Sequence, residues 1–131
     1  MTKKLELYRC NICGNLAEVI IPGAGELVCC GEPMELLEAK NNDAEANEKH
    51  VPVFMKDEQG KNEVRVGSTL HPMEENHYIM FIETITPDYN RAELQYLHPG
   101  EEAKMLIGEK LGKELAREFC SIHGLWEGKS D

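Results

Sequence analysis

The cysteines limit what this chain can become more than any other feature. Cys10, Cys13, Cys29 and Cys30 crowd the first thirty residues, and Cys120 stands alone ninety residues later, with His123 three positions on. Four thiolates close together in sequence can complete a tetrahedral metal site. A single one cannot, so Cys120 needs ligands of another kind or a different task. The split also divides the chain. A module of under about forty residues rarely buries enough apolar surface to fold unaided, so the segment with the first four cysteines depends on its metal. The rest of the 131 residues is long enough to form a core of its own.

Charge excludes some partners. With 24 acidic against 14 basic residues the net charge is −10. Binding to nucleic acid or an anionic membrane relies on Lys and Arg, so neither partner is expected. No stretch is long and apolar enough to span a bilayer. The opening MTKKLELYRC carries two lysines with no apolar run behind them, unlike a secretory signal. The expected location is therefore the cytoplasm, among reductants that favour metal-bound or redox cysteines over disulfides.

Short strands and turns fill the sequence. LELY (5–8) enters the Cys10-x-x-Cys13 turn, LAEVII (16–21) follows, and Pro22-Gly23-Ala24-Gly25 turns the chain back through 26–28 to Cys29-Cys30. This reads as a hairpin returning two cysteines to the first two. Residues 38–49 are polar, with almost no large apolar groups, and read as a linker between a module at 1–37 and a domain at 50–131. Beyond the linker, VPVFM (51–55), EVRVGS (63–68), HYIMFIETI (77–85), RAELQYL (91–97) and AKMLI (103–107) are separated by turns, a rhythm that predicts a β-sandwich. Residues 109–119 differ. Leu111, Leu115 and Phe119 recur at helical spacing and the Glu, Lys and Ala content favours a helix, although strand alternation also fits.

The four clustered cysteines suit zinc or a single iron equally. Their last two are adjacent, and side chains of neighbouring strand residues diverge, so a distorted tetrahedron is expected. Among the histidines, His50, His71, His77 and His123 sit at strand ends or loops, and Cys120-Ser-Ile-His123 forms a knuckle with imidazole in place of one sulfur. Any one of these histidines could be an ordinary surface residue, and Cys120 a small buried hydrophobe. Together they make a candidate second metal site. His98, before Pro99-Gly100, reads as a turn residue outside it.

These residues carry a family resemblance. Tyr8-Arg9-Cys10-Asn11-Ile12-Cys13-Gly14-Asn15, then Leu27-Val28-Cys29-Cys30-Gly31-Glu32-Pro33-Met34, resembles the desulforedoxin-like module of the desulfoferrodoxins. Glu48-Lys49-His50-Val51-Pro52-Val53, Gly67-Ser68, His71-Pro72-Met73-Glu74-Glu75 with His77, and Ala116-Arg117-Glu118 with Cys120-x-x-His123-Gly124 resemble the superoxide reductase, or neelaredoxin-like, domain. The match covers nearly the whole chain in the right order. Its departures, at His98, Leu125 and residues 101–112, touch no proposed ligand.

The resemblance implies an all-β protein: a small iron-stapled β module followed by an immunoglobulin-like β-sandwich. It implies two iron ions per chain, one on Cys10, Cys13, Cys29 and Cys30. The other takes four histidine nitrogens in a plane, from His50, His71, His77 and His123, with the Cys120 thiolate on the axis and an open position opposite. It also implies that 109–119 is a strand carrying Cys120 to the site, against the helical spacing. The implied activity is one-electron reduction of superoxide to hydrogen peroxide without release of dioxygen. Lys49 would attract superoxide and help protonate the product, and Glu48 would occupy the open position after turnover. A rubredoxin-type electron donor and a homodimer complete the implied picture. Without the resemblance, a non-enzymatic electron carrier or a zinc-binding interaction module would fit the same residues.

Overall fold

A computed structural model describes residues 1–42, 50–67, 71–108 and 114–130. The chain divides into two compact units, Met1–Glu38 and Ala39–Asp131.

In the first unit β1 (Leu7–Arg9) lies between β2 (Leu16–Glu18) and β5 (Glu35–Leu36), antiparallel to both. A separate ribbon pairs β3 (Val28–Cys29) with β4 (Glu32–Pro33). The expected hairpin between 16–21 and 26–28 does not form. β2 closes on β1 and β3 closes on β4, because Cys30 and Gly31 make a tighter turn than the Pro22–Gly25 segment. The unit buries Leu5, Leu7, Val19 and Cys10 as apolar groups but leaves Ile20 and Ile21 exposed. That is too little apolar burial to offset the entropy of ordering the chain.

The second unit is the sandwich. One sheet runs β10 (Lys104–Leu106), β7 (Asn62–Val66), β6 (Pro52–Lys56). The other runs β12 (Gly124–Lys129), β11 (Leu115–Cys120), β8 (Ile79–Ile85), β9 (Ala92–Tyr96). All pairings are antiparallel. Val64, Val66 and Met105 from one sheet join Ile79, Ile82, Ala116 and Cys120 from the other in a single core. β8 is rich in β-branched and aromatic residues and buries every side chain but Met80, as an interior strand should. The all-β expectation holds: among the described residues there is no helix, and so none long and apolar enough to cross a membrane.

Residues 115–120 form a strand, and 109–113 lie outside the described residues. The helical spacing loses to tertiary context: β11 is bonded on one side to β8 and on the other to β12. Alternation sends Ala116 and Cys120 into the core, while the Phe119 ring lies parallel to Phe81, 6.1 Å away. β12 and β5 had no counterpart in the sequence reading. β12 passes close to β6, where a Cβ on Gly128 would come within 2.2 Å of the Pro52 carbonyl oxygen. Only glycine fits there.

Candidate metal centres

The first centre is built from two turns. In Cys10-x-x-Cys13 the Gly14 N–H donates to the Cys10 carbonyl at 3.0 Å and the Cys10 N–H donates to the Asn15 carbonyl at 2.9 Å. This loop also aims the Cys13 N–H at the Cys10 sulfur, 3.4 Å away. The second turn answers the problem of adjacent cysteines. Cys29 ends β3, but Cys30 lies outside the strand with φ 53°, followed by Gly31 at φ 78°. Two successive positive φ values are the mark of a two-residue type I′ hairpin turn. The left-handed backbone at Cys30 swings its side chain onto the side where Cys29 points, and their sulfurs stand 3.9 Å apart. The side chains of this adjacent pair therefore converge. The Cys13 and Cys29 sulfurs are 3.6 Å apart. A tetrahedron with metal–sulfur bonds of about 2.3 Å has edges of about 3.8 Å, so the four sulfurs fit one thiolate-bound ion.

The thiols are electrostatically unequal. The backbone N–H groups of Cys13 and then Ile12 hold the Cys10 thiol down to about 6. Neighbouring sulfurs, Cys13 foremost, push Cys30 up to about 12 and raise Cys29 as well. Four thiolates in one place repel one another, and a bound cation relieves that repulsion. None of the five cysteines is joined in a disulfide.

The second centre gathers loops at one end of the sandwich. His50 precedes β6, His71 and His77 precede β8, Cys120 ends β11, and His123 lies in the turn to β12. A register shift in β8 opposite Phe119 and Cys120 pairs Cys120 with Ile79 and skips Met80, a bulge that re-aims the end of the strand. Gly124, at φ 83°, completes the hairpin that brings His123 back over Cys120.

The four imidazoles touch in a closed cycle. Ring centroids are 4.6 Å apart for His50–His71, 4.9 Å for His71–His77, 5.2 Å for His77–His123 and 4.7 Å for His50–His123. His50 Nε2 lies 3.0 Å from His71 Nε2 and 3.1 Å from His123 Nδ1. Nitrogens at the corners of a square, each about 2.1 Å from its centre, would be about 3.0 Å apart along an edge. The Cys120 sulfur approaches two opposite members of the cycle, 3.7 Å from His71 Nε2 and 3.8 Å from His123 Nδ1. All five donor atoms lie within 4.8 Å of one another. Nitrogen donors in a square with one thiolate beneath suit a borderline transition metal such as iron.

Surrounding groups fix these donors. His71 Nδ1–H donates to the Pro72 carbonyl at 2.7 Å, which turns the Nε2 lone pair into the cluster. His50 stacks on Trp126 at 4.7 Å and 14°, and Trp126 Nε1–H donates to the His123 carbonyl at 3.2 Å. Among the described residues the core side is closed and the far side exposed: Cys120, His50 and His71 are buried, His77 is half-buried and His123 is exposed.

The nine cysteines and histidines read as ligands from the sequence thus fall into two donor groups, Cys10, Cys13, Cys29 and Cys30 in one and His50, His71, His77, Cys120 and His123 in the other. His98 takes part in neither; its ring meets the Glu101 carboxylate at 3.0 Å on the surface. Glu48 and Lys49 lie outside the described residues. The sequence reading passed over Trp126 and Lys40, which flank the second centre. The hint was that Trp126, the chain's single tryptophan, lies three residues after His123.

Known proteins share this organisation. The family model for the desulfoferrodoxin N-terminal domain matches residues 2–37, and that for desulfoferrodoxin matches residues 42–129. A desulfoferrodoxin from Syntrophotalea carbinolica is 48% identical over 129 residues, covering 98% of this chain and 99% of its own length. The superoxide reductase structure from Treponema pallidum superposes with a TM-score of 0.71 at 23% identity, over 97% of this chain and 99% of that one, a likeness of fold. The one-iron superoxide reductase from Giardia intestinalis gives a TM-score of 0.53 at 29% identity, covering 65% of this chain and 99% of that one.

Proposed function

Because the chain belongs to the desulfoferrodoxin family, we infer that it is a superoxide reductase with two iron ions per chain. Superoxide gains one electron and two protons and leaves as hydrogen peroxide, and no dioxygen is formed. The observation that carries this reading is the convergence of four imidazole nitrogens and one buried thiolate, open on the side away from the core. Iron held by His50, His71, His77, His123 and Cys120 would supply the electron and Lewis acidity toward an anion, and the Cys120 thiolate would add electron density to it.

The chain's own residues do the rest. Cys120, with no exposed surface, keeps water from the sulfur side. His50, His71, His77 and His123 form the ring around the open side, and the Pro72 carbonyl holds His71 in the ligating tautomer. Lys49 is assigned to drawing superoxide in and supplying a proton to the product. Glu48 is assigned to covering the open position after turnover. Both assignments rest on sequence adjacency to His50 and on the family resemblance. The chain's net charge of −10 opposes an anionic substrate. Steering must therefore be local, within a Debye length of about 8 Å at physiological salt.

The centre at Cys10, Cys13, Cys29 and Cys30 is a closed set with no position for substrate, which suits electron transfer or stapling. The segment 1–37 would be its module and 50–131 the reductase domain, with 38–49 a connection whose Lys40 pairs with Trp126 of that domain. A rubredoxin-type protein is the proposed donor, since exposed Cys13 and Cys30 put this centre within reach of a partner. Exposed Ile20 and Ile21 favour a homodimer, and five cysteines outside any disulfide favour the cytoplasm. Metal analysis with a visible spectrum tests the reading. Two irons per chain with thiolate charge-transfer bands from both centres are expected, and zinc at both would contradict it.

A further inference from the structure

Lys40 belongs to none of the ligand motifs, yet it is tied to the second centre by both backbone and side chain. It forms a parallel bridge with Trp126. Its N–H donates to the Leu125 carbonyl at 3.0 Å, and its own carbonyl accepts the Glu127 N–H at 2.8 Å. Its Nζ donates to the His123 carbonyl at 3.1 Å and stands 5.1 Å from the centroid of the Trp126 ring. The His123 carbonyl is therefore held twice, by Lys40 and by Trp126 Nε1–H, and the same Trp126 ring stacks on His50.

Two consequences follow from elementary chemistry. His123 turns Nδ1 into the cluster. Nδ1 is the ring nitrogen nearer the main chain, so it moves closely with the backbone, and anchoring the carbonyl restrains the backbone from which this donor hangs. Lys40 is also exposed, and its Nζ reaches the hairpin turn that carries the exposed His123. Its charge lies beside the open edge of the centre. A cation there attracts an anion from solution and favours the less positive oxidation state of a bound metal.

We propose that Lys40 is a positioning residue of this centre: it clamps the His123 carbonyl against Trp126 and places beside the open edge a positive charge that draws the anionic substrate in. The proposal rests on the superoxide reductase reading. It gives this acidic chain a second local cation besides Lys49.

The test uses the iron-loaded full chain with two substitutions. Lys40→Met keeps an unbranched side chain over Trp126 but removes charge and donor, and Lys40→Arg restores both. Three quantities are measured: the second-order rate with superoxide as ionic strength varies, the midpoint potential of the histidine centre without substrate, and the visible band of the four-cysteine centre as a folding control. Lys40→Met should slow the reaction about two- to threefold at low salt, the effect of two unit charges about 8 Å apart in water. It should also flatten the salt dependence and lower the potential, and Lys40→Arg should recover all three. Wild-type rate, salt slope and potential in Lys40→Met would overturn the proposal. A wild-type protein that consumes no superoxide would instead overturn the superoxide reading, and the potential would then decide whether Lys40 holds the centre.

Discussion

In the first unit four sulfurs sit on two surface turns, with Cys13 and Cys30 exposed and only a handful of apolar side chains buried beneath. In the second, the donors hang from the end of a sandwich whose core includes Cys120 itself. The comparison separates two uses of a metal. A saturated tetrahedral set on a thin module supplies folding energy that the chain lacks. An unsaturated set on a self-sufficient core can leave one side open, because the fold does not depend on closing it.

Metal removal probes this contrast most strongly. Structural metal binding is worth about 10 kcal/mol in small modules. A strong chelator should therefore abolish amide-exchange protection at Leu7–Arg9 and Leu16–Glu18 while β8 and β11 keep theirs. Persistent protection in the first unit would show a core that stands without its metal. Next in size is Cys120→Ser, which should lower superoxide reduction at least about 100-fold, beyond the range seen for groups that merely support a ligand. The visible band of the four-cysteine centre should not change. Full activity in that variant would remove the thiolate from the mechanism.

Gly128→Ala acts on the scaffold alone. With a Cβ 2.2 Å from the Pro52 carbonyl oxygen, β12 and β6 must part. The cost should be about 2 kcal/mol, read as a lowered unfolding midpoint of the second unit, with metal retention by the first unit unaffected. An unchanged midpoint would mean that the two strands separate freely. A smaller effect again is expected for Lys49→Ala: a rate with superoxide about tenfold lower, or about 1.4 kcal/mol, and a weaker dependence on salt. An unchanged rate at low salt would take Lys49 out of the mechanism.

Much of this was legible in the sequence, for identifiable reasons. Ligand identity is a property of residue type, so the nine cysteines and histidines could be picked out before any fold was known. Alternation marked β7, and the longest apolar run marked β8 as a strand covered on both faces. What escaped depended on contacts that spacing does not encode. The strand at 115–120 exists because β8 and β12 flank it, and its helical spacing is incidental. The turn at Cys30-Gly31 escaped because the two cysteines were read as one strand, although a glycine at the second turn position was the available sign. The support given to His123 by Lys40 joins residues 83 positions apart, and no local pattern announces it.

The central claim is that the histidine–cysteine centre reduces superoxide and does not dismutate it. The most direct measurement is the product balance after a pulse of superoxide is mixed with the reduced, iron-loaded protein. One hydrogen peroxide per superoxide consumed, with no dioxygen evolved, is the expected result. Half that yield of peroxide, accompanied by dioxygen, would contradict it.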